Sequence, residues 1–143
     1  MKSLKKIFLD SMCIKSVIFK KFYRNNINDM SSMFHGCCNL TDIDFSSINT
    51  TNVSNMSFMF YKWVNLKSVD LSNFETKKVE NFEKMLCFCC SLKIIDLSNY
   101  NTSKVTDMNS LFCRCTSLQK LNIPNFNIIM FMIWVICYRN VWV

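Results

Sequence analysis

Nine cysteines are the residues best equipped for chemistry in this chain of 143. Seven fall into columns spaced by 26 residues or a multiple of 26: Cys37, Cys89 and Cys115; Cys38 and Cys90; Cys87 and Cys113. Equivalent residues of adjacent units are expected about 5 Å apart at Cα, within disulfide range. In an oxidising compartment Cys89–Cys115 or Cys87–Cys113 would then form staples. Cys87, Cys89, Cys113 and Cys115 also offer four thiolates to zinc, although Cys-x-Cys is not the usual structural-zinc spacing. The plainest reading is preferred: small apolar side chains packed in a core. No metal or cofactor is expected.

A second column holds Asp44, Asp70 and Asp96 and ends in Asn122. Carboxylates about 5 Å apart repel by up to about 1 kcal/mol in water. The preferred reading is that each bonds within its own turn. A basic partner is the alternative. A calcium site would need six or more oxygens, and no glycine-rich loop accompanies these residues. His35 and Cys37 suggest a nucleophile–base pair, but His35 is the counterpart of Tyr61, Cys87 and Cys113, a variable slot. Phosphate loops, metalloprotease boxes and triads are absent from the sequence. No catalytic residue is assigned, and the chain is expected not to be an enzyme.

The spacing that makes these columns runs through the whole chain. Ile27, Val53, Val79 and Val105 align, and so do Met30, Met56, Phe82 and Met108. Six further positions are apolar in all four copies, beginning at Met33, Phe34, Leu40, Ile43, Phe45 and Ile48. A fixed period of this length is the mark of a solenoid, whose units bury their apolar faces on one another. In the second copy Val53, Met56, Met59 and Phe60 have helical spacing, which predicts a short helix over 54–61. Ser54 and its counterpart Thr106 suit its N-cap. Residues 66–72 alternate as a strand, with Val69 and Leu71 inward and Ser68 and Asp70 outward. The expected fold is therefore an α/β solenoid: a leucine-rich-repeat-like, right-handed stack of short helices and short parallel strands.

Two stretches, NVSNMSFMFYKWVNLKSVDLSNFET and KVTDMNSLFCRCTSLQKLNIPNFN, resemble the 26-residue-repeat branch of the BspA-like leucine-rich-repeat surface proteins. The resemblance rests on Met-x-x-Met-Phe, Leu-x-x-Leu-Asp-Leu-Ser-x-Phe and Thr-x-x-Val in fixed order. It implies a bacterial cell-surface or secreted protein that binds proteins or host surfaces. The chain departs from the pattern at Trp63-Val64, which replaces paired cysteines, and at Asn122-Ile123-Pro124, which replaces Asp-Leu-Ser.

The organisation that follows is a basic, degenerate first repeat over 1–26, four repeats (27–52, 53–78, 79–104 and 105–128), and an apolar, truncated repeat over 129–143. The first segment sets seven basic residues against Asp10 alone, so nearly all of the chain's formal +7 lies there. That cluster suits a membrane surface, with no nucleic acid expected, since no exposed aromatic residue is expected among the basic ones for base stacking. The apolar run 7–9 is broken by Asp10, short of a secretory signal. The run 128–138 is shorter than a spanning helix requires. Phe131, Trp134, Cys137 and Tyr138 continue the core register, as in a repeat cut short.

Repeat surfaces present side chains to partners. The expected function is a non-enzymatic binding module for a protein or host-surface ligand, acting in adhesion. Its candidate contacts are the outward strand positions Asp42, Asp44, Ser68, Asp70, Ile94, Asp96, Lys120 and Asn122. The alternatives are an intracellular scaffold docking through its basic end, or a structural fragment of a longer solenoid.

Overall fold

The computed structural model describes residues 2–20, 22 and 24–127. The repeated apolar columns form its core. Met30, Met33 and Phe34 are fully buried, as are Met56, Met59 and Phe60 in the next unit and Met85 and Leu86 in the one after. Ile43, Val69, Leu121 and Ile123 are half-buried and pack against that core. Thirty-three buried side chains form one continuous cluster running from Leu4 to Phe126. Burial on this scale is what favours order in a chain without alanine, whose local helix propensity is weak.

The expected α/β solenoid of helix plus strand does not form. No helix occurs among the described residues; the regular elements are four three-residue strands in two separate sheets. The segment read as a helix, 54–61, is a run of turns. Met59 N–H donates to Met56 O and Trp63 N–H to Phe60 O, each spanning three residues. Between them Phe58, Phe60 and Lys62 donate to Glu83, Met85 and Cys87 of the next unit. A helix would keep these N–H groups for its own carbonyls; here alternate amides leave for the neighbour. Ser54 is likewise no cap: its N–H and hydroxyl both donate to Asn28 O, and Thr106 donates likewise to Glu80 O.

A turn at Met30 and a second at Phe34 each place the residue two further on in the left-handed region, Ser32 at φ 55° and Gly36 at φ 72°. That geometry is a type II turn, for which glycine is the natural third residue. The same two positions recur as Phe58 and Lys62, Lys84 and Phe88, and Ser110 and Arg114. Turns three to four residues apart bury side chains at the spacing of a helix face, which is why apolar periodicity alone pointed to a helix.

The strands are β1 (Ser16–Ile18), β2 (Asp42–Asp44), β3 (Ile94–Asp96) and β4 (Lys120–Asn122). β1 pairs with β2 and β3 with β4, both parallel, with Val17 opposite Ile43 and Ile95 opposite Leu121. The strand expected over 66–72 is absent, and the two sheets stay separate. On the turn side, parallel bridges run without interruption through Ser3, Asp29, Asn55, Asn81 and Asp107.

Trp63 lies at the break in the sheet. It stands where other units have Cys37, Cys89 and Cys115, and it is fully buried against Phe34 and Phe60, with ring centroids 5.9 and 5.4 Å away. Its indole Nε1 donates to Leu40 O, just before β2. The cysteines of the column instead donate to Phe8, Phe60 and Leu86 carbonyls on the turn side. A much larger side chain thus engages backbone at the strand edge, where the ladder between β2 and 68–70 is missing.

The first unit packs against the second through Leu4, Phe8, Ile14, Val17, Phe19 and Phe22. Ile7, the counterpart of Met33, is 47% exposed. The expectations for 129–143 lie outside the described residues.

Candidate functional site

The expected binding residues sit where the short strands face solvent. Asp42 and Asp44 lie on β2, Ile94 and Asp96 on β3, and Lys120 and Asn122 on β4; Ser68 and Asp70 occupy the gap between the sheets. All are exposed except Asn122, which is half-buried. They form two columns of different character. One reads Asp44, Asp70, Asp96 and Asn122; the other reads Asp42, Ser68, Ile94 and Lys120.

The first column closes turns. Asp44 accepts the Ser46 N–H at 2.8 Å, Asp70 that of Ser72 at 2.9 Å, and Asp96 that of Ser98 at 2.9 Å. These are Asx turns, in which a side-chain oxygen takes the place of a backbone acceptor. The serine hydroxyl and then its N–H hold each carboxyl below the ordinary aspartate value, and for Asp96 the Asn122 amide adds to the effect. Asn122 Nδ2 reaches Asp96 Oδ1 at 3.1 Å. The repulsion expected along this ladder is thus offset residue by residue. The second column makes no such repeated bond. It presents, in order, an anion, a hydroxyl, an apolar side chain 52% exposed, and a cation.

On the turn side the cysteines are mostly inside. Cys37, Cys87, Cys89 and Cys115 are buried, while Cys38, Cys90 and Cys113 are half-buried. Cys37 Sγ donates to Phe8 O at 3.0 Å, and burial pushes its thiol up to about 11. His35 lies instead against Tyr61, with ring centroids 4.8 Å apart, and burial lowers its basicity. The two do not assemble a nucleophile–base pair. Among the described residues no group of three or more His, Cys, Asp or Glu is placed to hold a metal ion.

Two features escaped the sequence reading. Thr50, Thr76 and Thr102 form a buried column that links units through both atoms of the hydroxyl. Thr76 Oγ1 donates to Asn101 O at 3.2 Å and accepts Asn101 N–H at 2.7 Å; Thr50 does the same with Glu75. The repeated Thr-x-x-Val was the available signal. The other feature is a half-buried aromatic row in which Phe58, Tyr61 and Phe88 touch edge to face. Lys62 lies 5.5 Å over Tyr61 and Lys84 5.1 Å over Phe58. Lys84 is also paired with Glu83 at 2.7 Å.

No helix among the described residues is long and apolar enough to cross a membrane. Comparison with curated proteins and with solved structures finds no match for the chain. A family model does match, over residues 2–126, and the chain belongs to the family described as Mycoplasma protein of unknown function, DUF285.

Proposed function

We propose that this protein is a non-enzymatic recognition module, displayed at the cell surface in the manner of the BspA-like proteins it resembles, with the exposed strand face as its contact surface. The contrast between the two outward columns supports the reading. Asp44, Asp70 and Asp96 repeat because each closes a turn. Asp42, Ser68, Ile94 and Lys120 vary from unit to unit and make no repeated bond, so their identities are free to be chosen by a partner. An exposed isoleucine between a hydroxyl and an ammonium suits a protein surface, where apolar contact supplies affinity and flanking charges set register.

The test has two parts. Limited proteolysis of intact cells carrying the protein should release peptides from 27–127; release only after lysis overturns the surface reading. Beads coated with the full chain should adhere to host cells. A variant carrying Ile94→Asp and Lys120→Glu should lose at least tenfold in retention while melting as the parent does. Undiminished retention would remove the strand face from consideration.

One observation favours a second reading, docking through the first unit. Ile7, Leu9 and Met12 are exposed beside Lys5 and Lys6. Apolar side chains flanked by lysines suit an anionic lipid surface. Salt-sensitive binding of the full chain to vesicles rich in phosphatidylserine, lost on changing Lys5 and Lys6 to Glu, would support it; equal binding to neutral vesicles would not.

A further inference from the structure

The columns bring cysteines of adjacent units together twice, at Cys87 with Cys113 and at Cys89 with Cys115, and the two pairs differ in ways that decide what each can do. In both, parallel backbone bonds lock the register: Leu86 N–H donates to Leu111 O at 3.0 Å, and Phe88 N–H to Cys113 O at 2.7 Å. Residues held side by side in this manner lie about 5 Å apart at Cα, inside the range a disulfide spans.

Cys89 and Cys115 are fully buried and within hydrogen-bond reach of each other, and their thiols also donate to backbone, Cys89 to Phe60 O at 3.3 Å and Cys115 to Leu86 O at 3.0 Å. Cys87 is buried too, but Cys113 is only half-buried, and the two are free thiols within hydrogen-bond reach of each other. Neither makes a bond to a backbone carbonyl comparable to those of the inner pair. The remaining cysteine columns have no such neighbour, since Trp63 and Val64 separate Cys37 and Cys38 from Cys89 and Cys90.

We infer that Cys87 and Cys113 form a specific oxidation site, closed to a disulfide by small-molecule disulfides, while the inner pair Cys89 and Cys115 is left reduced. The reaction is thiol–disulfide exchange. The thiolate of Cys113, the less buried residue of the pair, attacks one sulfur of the external disulfide and expels one thiolate. Cys87 then gives its proton to water and attacks Cys113 Sγ, expelling the second. The two protein thiols lose two protons and two electrons, and the external disulfide is reduced to two thiols. In the reduced pair burial, then the neighbouring Cys113, pushes the Cys87 thiol up to about 12, which disfavours Cys87 as the first attacker. Closure ties the third and fourth units through a 26-residue loop, a constraint that acts mainly on the unfolded chain. This chemistry is independent of the binding role proposed above; only the place where the oxidant is met depends on surface display.

Tryptic cleavage makes the test selective, because Arg114 separates Cys113 from Cys115. The folded, fully reduced chain is incubated with oxidised glutathione, blocked with iodoacetamide and digested. The expected product joins peptide 85–93 to peptide 105–114, with fragment ions placing the bond on Cys87 and peptide 115–120 recovered alkylated. The melting midpoint should rise by on the order of 10 °C. Cys113→Ser should abolish both changes, and Cys90→Ser should preserve them. Capture of 115–120 in place of 105–114 would overturn the inference. So would full alkylation of Cys87 and Cys113, or the same mixture of pairings from folded and urea-unfolded chain. Failure here leaves adhesion of the coated beads unaffected, so the two proposals fail separately.

Discussion

The turn side and the strand side of this molecule are built from the same repeat, yet only one is continuous. Along the turns, parallel bridges run unbroken from Ser3 to Asp107, and fully buried methionines and phenylalanines lie beneath them. Along the strands, pairing lapses after β2 and resumes at β3. The turn side keeps its backbone regular although its side chains vary, as from Ser32 to Phe58, Lys84 and Ser110. It even keeps bulky residues such as Phe58 and Phe88 in the left-handed region, where each is strained by roughly 1–2 kcal/mol. The strand side tolerates a gap and four different side chains in one column. Continuous and interrupted backbone pairing thus belong to different parts of the same repeat.

Trp63 is where the two sides meet, and replacing it should have the largest effect. Trp63→Ala removes a fully buried ring between Phe34 and Phe60 and should cost about 3–5 kcal/mol in chemical unfolding. Cys89→Ala, in the same column, loses one sulfur and should cost only about 1 kcal/mol. Comparable losses would mean that the column is equivalent in every unit. Hydrogen exchange sharpens the point. Amides of 68–70 should exchange faster than those of 94–96. Trp63→Cys should slow the former even as it lowers stability; unchanged exchange would detach the sheet break from Trp63.

Thr76 tests what holds the units together where the chain leaves the strand side. Thr76→Val keeps the shape but strips Asn101 N–H and Asn101 O of a shared partner in a buried site. A loss of about 1–3 kcal/mol is expected. A loss below a few tenths would show that water replaces the hydroxyl freely.

These contrasts also mark what the sequence made legible. The eight apolar columns were readable residue by residue, because burial depends on side-chain type and register, and both are printed in the repeat. Outward positions from Asp42 to Asn122 were readable for the same reason. The helix was not. Val53, Met56, Met59 and Phe60 repeat at three- and four-residue intervals in a helix and in a run of type II turns alike, and apolar spacing cannot separate the two. The informative signal was the backbone demand at Ser32, Phe58, Lys84 and Ser110, where glycine would have announced the turns; only Gly36 did so. The break at 66–72 was hidden because its residues alternate just as those of the paired strands do, so alternation alone does not separate a strand that pairs from one that does not.

Lys62 allows the strain on the turn side to be measured. It sits at φ 59° in the position Gly36 holds one unit earlier, and it is exposed. Lys62→Gly relieves the left-handed penalty but increases the entropy of the unfolded chain, so a net gain of up to about 1 kcal/mol is expected. The loss of the lysine over Tyr61 offsets part of it. A clear destabilisation would show that the cation and ring contact outweighs the backbone strain, and that the lysine is there for the turn face itself.

Acid should separate the two sides by sign, with the smallest effect of the set. Asp44, Asp70 and Asp96 have folded values held below that of the unfolded chain, about 3.9. Their contribution is fully present above that value and is lost as pH falls through their folded values. Asp107, on the turn side, is shifted the other way, by burial first and by Glu83 second. Its fold prefers the neutral acid, so stability rises as pH falls from its raised value to about 3.9 and changes no further below. In a His35→Gln background, which removes the opposing loss from an imidazole whose basicity burial lowers, the melting midpoint should therefore climb slightly, by less than about 2 °C, between pH 6 and pH 4, and then drop. Asp107→Asn should erase the climb and leave the drop, while Ser46→Ala with Ser98→Ala should soften the drop and leave the climb. If one substitution moved both limbs, the turn and strand sides would be titrating as a single coupled system, and the separation between them would hold for the backbone alone.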